Sequence, residues 1–367
     1  IFAGEPRSRK GNYRISGTGA PSAWSADDMR KLEIAKEKGA ATVFVIDPKF
    51  KDNVRDIRKE TLDGRMRMAE IAEADRTTAN VIYLTPQLAK KIMGKTGKKV
   101  IKSRKKLEKS GKLKPVKVPV NLALTQKKNV RELIGENILG FVEGTDTQLK
   151  DEVLVVSAHY DHIGKRGDVV FNGADDNGSG TSTILEVAEA FVIAKKQDLG
   201  PRRSVLFLLV SGEEKGLLGS EYYASHPVFP LESTIADINV DMVGRVDAKY
   251  TDNPNYIYVI GSDRLSTELH EINEFVNKKY TNLILDYTYN EEDDPNRYFY
   301  RSDHYNFAVK GIPSVFFFNG THADYHQATD TIDKINFEKM EKIGQLVFHN
   351  AWQLSNQDRR IEVDVKK

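Results

Sequence analysis

Val153-Leu154-Val155-Val156-Ser157-Ala158 followed by His159-Tyr160-Asp161-His162 is the stretch from which the fold can be read. A run of β-branched and aliphatic residues without alternation is the mark of a strand buried on both faces, as in a parallel sheet covered by helices. It runs straight into two histidines and an acid. The same event recurs downstream: Ser204–Val210 empties into Ser211-Gly212-Glu213-Glu214, Ile235–Met242 carries Asp241, and Ser314–Phe318 leads towards His322 and His326. Further strands are expected at Ile138–Val142 and Tyr256–Ile260. Helices are expected near Ser179–Lys195, Leu217–Ala224, Leu265–Tyr280 and Phe337–Leu354. Strands alternating with amphipathic helices predict an α/β three-layer sandwich with a central mixed, largely parallel sheet. Ligands in such sheets gather where strands end and loops begin.

Working outward, residues 1–120 read as a smaller α/β unit, leaving 121–367 for the larger domain. Ser25-Ala26-Asp27-Asp28 has a capping-box pattern ahead of apolar Met29, Leu32, Ile34 and Ala35, with Gly39 as a stop. Ala41–Ile46 and Asn80–Leu84 are strand-like, Thr85-Pro86 opens a short helix ending near Gly94, and Val116–Leu124 alternates like a strand. Between them, Lys95–Lys117 holds 11 basic residues and one acid, Glu108. The whole chain carries only +2, so everything outside this stretch is acidic, near −8. The basic stretch is expected to be a solvated connector, because it lacks aromatic residues for stacking on bases; no nucleic-acid partner is expected.

At 367 residues with 40% hydrophobic and 29% charged, the chain has the composition of a globular protein with a sizeable core. No apolar run approaches the roughly 20 residues of a membrane span. The absence of Cys excludes disulfides, thiolate metal sites and cysteine nucleophiles. Metal chemistry must therefore rest on His and carboxylate donors.

From about Asn137 to Asn356 the motifs His159-x-Asp161, Gly173-Ala174-Asp175-Asp176-Asn177-Gly178, Glu213-Glu214, Asp241 and His326 resemble, in kind and order, the co-catalytic two-zinc aminopeptidases. The resemblance implies the zinc exopeptidase fold and two zinc ions per chain. His159, Asp175 and Asp241 are expected to hold the first zinc, with Asp175 bridging to a second held by Glu214 and His326. Glu213 is the expected general base for a metal-bridging water, Asp161 the carboxylate fixing the His159 tautomer, and the Asp175–Asp176 peptide bond is expected to be cis. His162 and His322 receive no ligand role in this mapping. The chemistry is consistent: two close divalent cations need a bridging carboxylate and anionic ligands, and adjacent glutamates divide naturally into ligand and base.

Some relatives place a Tyr where this chain has Phe299, so Tyr298 or Tyr300 becomes the candidate oxyanion donor, with Arg301 the nearby basic candidate for substrate contact. Asp303 and His304 read equally as a supporting pair or as substrate contacts. Residues 1–120 resemble a protease-associated domain entered part-way, and the family resemblance implies secretion or periplasmic export. The expected substrates are peptides with a free amino terminus; the oligomeric state is not encoded legibly. Two other activities stay open on the same residues: a single-zinc glutaminyl-cyclase-like enzyme, and a non-enzymatic binding protein that keeps the fold.

Overall fold

The computed structural model describes all residues except 9, 23–24, 26–27, 56–65, 70–78, 112–114, 126, 128–129 and 366–367. Part of the expected helix cap, Ala26 and Asp27, and Lys112 to Lys114 of the basic stretch lie outside the described residues. The chain separates into two compact units, Ile1–Arg65 with Ala69–Glu132, and Met66–Met68 with Leu133–Lys367, so residues 121–132 fall with the first and not the second.

In the first unit, α1 (Met29–Glu37) precedes β1 (Thr42–Ile46), which pairs in parallel with β2 (Asn80–Leu84); α2 (Pro86–Ile92) and α3 (Gly97–Ser110) follow. Ser25 does not cap α1. Its hydroxyl instead donates to Glu5 Oε2 at 2.6 Å, and Asp28, at the cap position, makes no side-chain bond there. Thr85 does cap α2, accepting from the Leu88 amide at 3.1 Å. The basic stretch is not a connector over most of its length: α3 runs through it, with Val100 and Ile101 packed against the β1–β2 core and the lysines facing outward. Gly111 ends it in a left-handed conformation, φ +69°, its amide bonded to the Leu107 carbonyl. Val116–Leu124 forms no strand and pairs with none of the described strands.

The second unit is built on a seven-stranded mixed sheet. Its strands are β3 (Ile138–Val142), β4 (Val153–His159), β7 (Ser204–Val210), β8 (Thr234–Val240), β9 (Tyr256–Ile260), β10 (Ile284–Asp286) and β11 (Ser314–Phe318). A separate hairpin, β5 (Gly164–Arg166) with β6 (Val169–Phe171), follows β4. The sheet order is β10-β9-β11-β8-β4-β7-β3, with β3–β7 and β11–β9 antiparallel and the other pairs parallel. Alternation along β4 sorts its side chains. Leu154, Val156 and Ala158 join a core with helices α4 (Gly180–Lys196), α6 (Thr267–Val276) and α8 (Phe337–Asn356). Val153 and Val155 pack on the other face with Tyr223 of α5 (Leu218–Ser225) and Phe307 of α7 (His304–Ala308). No helix among the described residues is long and apolar enough to cross a membrane.

Because β4, β7, β8 and β11 run parallel, their carboxyl ends open on one edge of the sheet. His159, Glu213, Asp241 and the loop to His326 all start there.

One buried amine stands out beneath the sheet. Lys339 of α8 is 4% exposed, donates to the Tyr256 and Pro254 carbonyls at 2.8 and 3.2 Å, and lies over the Tyr256 ring. Burial lowers its pKa to about 7, with Asp175 and Asp247 opposing. The unfolded chain, with an ordinary lysine near 10.5, then binds more protons than the folded one between pH 7 and 10.5. Stability from this group should rise with pH across that window. Urea midpoints measured from pH 7 to 10 should show the rise in the wild type and a flatter profile in Lys339→Met.

Candidate metal centre

His159 ends β4 and is 1% exposed. Its Nδ1 donates to the Asp161 carbonyl at 3.0 Å, which fixes the ring and turns Nε2 towards Asp241 Oδ1 at 3.3 Å and Asp176 Oδ1 at 3.4 Å. The tautomer is thus set by a peptide carbonyl. The Asp161 carboxylate, 3.8 Å from Nδ1, accepts instead from the Glu213 amide at 3.1 Å and holds the start of the Glu213–Glu214 turn.

Of the neighbouring aspartates it is Asp176, and not Asp175, that faces the histidines. Asp176 Oδ2 lies 3.1 Å from His326 Nε2 and 3.8 Å from His162 Nδ1. Asp175 is fully buried but turned away: its Oδ1 accepts from the Gly244 amide (2.7 Å) and the Ser179 hydroxyl (3.0 Å), and its Oδ2 from Asn319 Nδ2 (3.2 Å) and His322 Nε2 (3.1 Å). With both oxygens occupied it has no free face for a cation. The cis peptide bond likewise falls one residue later than expected, at Asp176–Asn177. Asp330, 0% exposed, accepts both the Asp175 and Asp176 amides at 3.0 and 3.2 Å and so pins the turn.

Two donor groups result, His159–Asp176–Asp241 and His162–Asp176–Glu214, sharing Asp176, with His326 Nε2 3.4 Å from Glu214 Oε1. The donor chemistry fits zinc, which takes imidazole nitrogen and carboxylate oxygen. So does the bonding. His162 Nδ1, Asp176 Oδ2 and Glu214 Oε1 are buried without a hydrogen-bond partner, which is costly unless a cation joins them. Burial opposes a charged His159, yet Asp241, Asp176 and Glu213 overcome it and raise its pKa well above the usual imidazole range. The point these acids surround calls for positive charge.

Glu213 lies beside the first group, its Oε2 4.0 Å from His159 Nε2. Burial, then repulsion from Asp241, Asp303 and Asp176, lifts its pKa well above the ordinary range against the pull of His159. That makes it a stronger proton acceptor than a surface carboxylate. Asp241 is held from behind by the Ser302 hydroxyl at 2.7 Å, itself bonded by Asn239 Nδ2 at 2.7 Å. Asp303 and His304 do not form a pair: Asp303 accepts from Ser220, while the His304 ring packs between Phe299 and Phe316.

Asp176, Glu213, Glu214, Asp241 and His326 line a pocket of about 300 Å³ whose apolar wall includes Leu217, Met242, Phe316 and Phe318. Tyr298 and Tyr300 line it; Phe299 is 5% exposed and belongs to the core behind. Arg301 also lines it, its guanidinium over the Tyr298 ring at 4.8 Å and donating to Tyr325 Oη at 3.3 Å. Tyr325, which no sequence motif marks, stacks on His326 with centroids 3.9 Å apart, and His162, given no ligand role in the family mapping, stands within the cluster. The available signal for His162 was its place on the loop that carries His159.

Residues 137–351 match Peptidase family M28, and the chain belongs to that family. A probable leucine aminopeptidase of Trichophyton verrucosum (strain HKI 0517) is 33% identical over 214 residues, covering 56% of this chain and 55% of its own. Aminopeptidase YwaD of Bacillus subtilis (strain 168) is 27% identical over 252 residues, covering 65% and 50%. The chain thus spans about half the length of the curated relatives it matches. Among solved structures, an aminopeptidase from Aneurinibacillus sp. strain AM-1 shares the fold with a TM-score of 0.54 at 19% identity, over 100% of this chain and 76% of that one.

The two aspartates can be separated by metal content. Asp176→Ala should lose bound zinc on equilibrium dialysis, whereas Asp175→Asn, which keeps an acceptor oxygen, should retain most of the zinc that the wild type binds.

Proposed function

We propose that this chain is a two-zinc metallo-aminopeptidase that hydrolyses the amino-terminal peptide bond of peptides. The observation that carries the reading is Asp176 standing between two sets of donors, His159 with Asp241 on one side and Glu214 with His326 on the other, with Glu213 beside them in an open pocket. His159, Asp176 and Asp241 would hold one zinc, and Asp176, Glu214 and His326 the other. Bound zinc supplies Lewis acidity and lowers the pKa of water towards neutrality. Membership in Peptidase family M28 and likeness to aminopeptidases support the reaction class.

The chain's own groups divide the remaining work. Glu213 takes a proton from the attacking water and returns it to the leaving amine. The expected substrates are peptides with a free amino terminus, in keeping with the aminopeptidases this chain is similar to. Leu217, Met242, Phe316 and Phe318 offer an apolar wall to the first side chain, so unblocked peptides with an apolar first residue are the preferred class. Tyr298 and Tyr300, which line the pocket, are the proposed donors to the developing oxyanion. The first unit is proposed to be a protease-associated domain, in keeping with its helix–glycine–strand passage from α1 through Gly39 to β1.

The two completed donor groups favour this reading over a single-zinc cyclase, which needs only one. Hydrolysis of aminoacyl reporter amides should disappear with a strong chelator and return on adding zinc. Glu213→Gln should lower kcat about 10²–10⁴-fold while keeping two zinc ions per chain. One zinc per chain with cyclisation of amino-terminal Gln would replace this reading by the cyclase; no zinc and no turnover would leave a binding protein.

A further inference from the structure

His162 lies three residues beyond His159 on the loop that leaves β4, and its side chain is 9% exposed. Its Nδ1 is 2.9 Å from Glu214 Oε1 and 3.8 Å from Asp176 Oδ2. From the other side, His326 Nε2 is 3.4 Å and 3.1 Å from the same two oxygens. Despite these separations, His162 Nδ1, Glu214 Oε1 and Asp176 Oδ2 form no hydrogen bond. Their atoms converge instead of aiming an N–H at an oxygen. Four donors around one zinc at about 2.0–2.1 Å would stand about 3.3 Å apart along each tetrahedral edge, and the observed separations scatter around that value.

The chain makes room for this ring. A Cβ on Gly173 would lie 2.6 Å from His162 Cγ, and Gly173 also adopts φ +65°. A larger residue there would drive the imidazole away from Glu214.

We infer that His162 is a fourth protein ligand of the second metal position, joining His326, Glu214 and Asp176. The inference rests on the two-zinc reading above. It makes the two positions unequal: the second is closed by four protein donors, while the first has three, His159, Asp176 and Asp241. Closed four-donor sites hold zinc structurally, and catalytic sites keep a position open. The open position is therefore on the His159–Asp241 side, next to Glu213, and the water and the scissile carbonyl belong there.

Zinc stoichiometry and affinity of the full chain, measured by dialysis against buffered zinc, test this without relying on turnover. Wild type should bind two zinc ions. His162→Ala should keep one at wild-type affinity and weaken the other by more than about 100-fold, beyond the about 10–100-fold that loss of a residue supporting a ligand costs. His162→Gln preserves bulk and can still donate to Glu214, but cannot replace an imidazole, so it should show the same loss. Thermal unfolding of each variant in excess chelator, matched to wild type in chelator, separates lost ligation from lost folding. Two zinc ions within tenfold of wild-type affinity in His162→Ala, or rescue by His162→Gln, would overturn the inference and leave the two-zinc reading standing. Fewer than two zinc ions in the wild type would remove that reading, and the inference with it.

Discussion

Burying the Asp176 carboxylate between histidines on both sides carries a desolvation penalty that positive charge must offset, and the surrounding structure is arranged to keep that carboxylate in place. Asp330 gathers the amides of Asp175 and Asp176. On the far side, Asn177 donates to the Val240 carbonyl and accepts from the amides of Gly180 and Met242, tying the turn to the end of β8 and the start of α4. Asp175 points the other way and binds Gly244 and Asn319. A two-residue acidic turn is thus clamped from both sides, and only one of its carboxylates reaches the cluster.

The same cluster concentrates acids that repel one another. Glu213, Glu214, Asp241 and Asp176 meet at one end of the sheet with His159, His162 and His326 among them. Backbone packing holds them there: β4, β7 and β8 are buried along their whole length, so their last residues cannot retreat to relieve the repulsion. Hydrogen bonds from Ser302 to Asp241 and from the Glu213 amide to Asp161 orient the acids without neutralising them. The rigid sheet sets the positions, and the chemistry of the cluster then asks for cations.

What could be read from the residues alone follows from the same physics. The strands of the larger unit are unbroken apolar runs, because both faces are covered, and their ends carry the chemistry; hence His159, Glu213, Glu214, Asp241 and His326 were all legible. Asp175 and Asp176 were not separable, since adjacent acids in a turn differ only in where the backbone aims them. The roles of Asp161 and His162 were hidden for a similar reason: a carbonyl, not the Asp161 carboxylate, holds His159, and His162 is brought in by the path of a loop past Gly173. In the smaller unit, charge outweighed periodicity. Val100 and Ile101 are sparse apolar residues within the basic stretch, yet enough to seat α3 against β1 and β2. Conversely, the alternation of Val116–Leu124 was strand-like, but alternation becomes a strand only when a neighbouring strand pairs with it, and none of the described strands does.

Glu213 and Glu214 repeat in a different geometry the division seen at Asp175 and Asp176. They sit in a single 3₁₀ turn, where successive side chains diverge by about 120°. Glu214 therefore reaches His162 and His326, while Glu213 turns towards His159 and Asp241. Two carboxylates from neighbouring residues are delivered to opposite sides of Asp176, the division that the proposed base and ligand require. On the proposed reading Glu213 then stands beside the histidine group with fewer ligands, so the proton acceptor and the open coordination position share one side of the pocket. Moving the turn by one residue would bring Gly212 or Lys215 into one of the two places, so the cluster would lose a carboxylate and could not keep both roles.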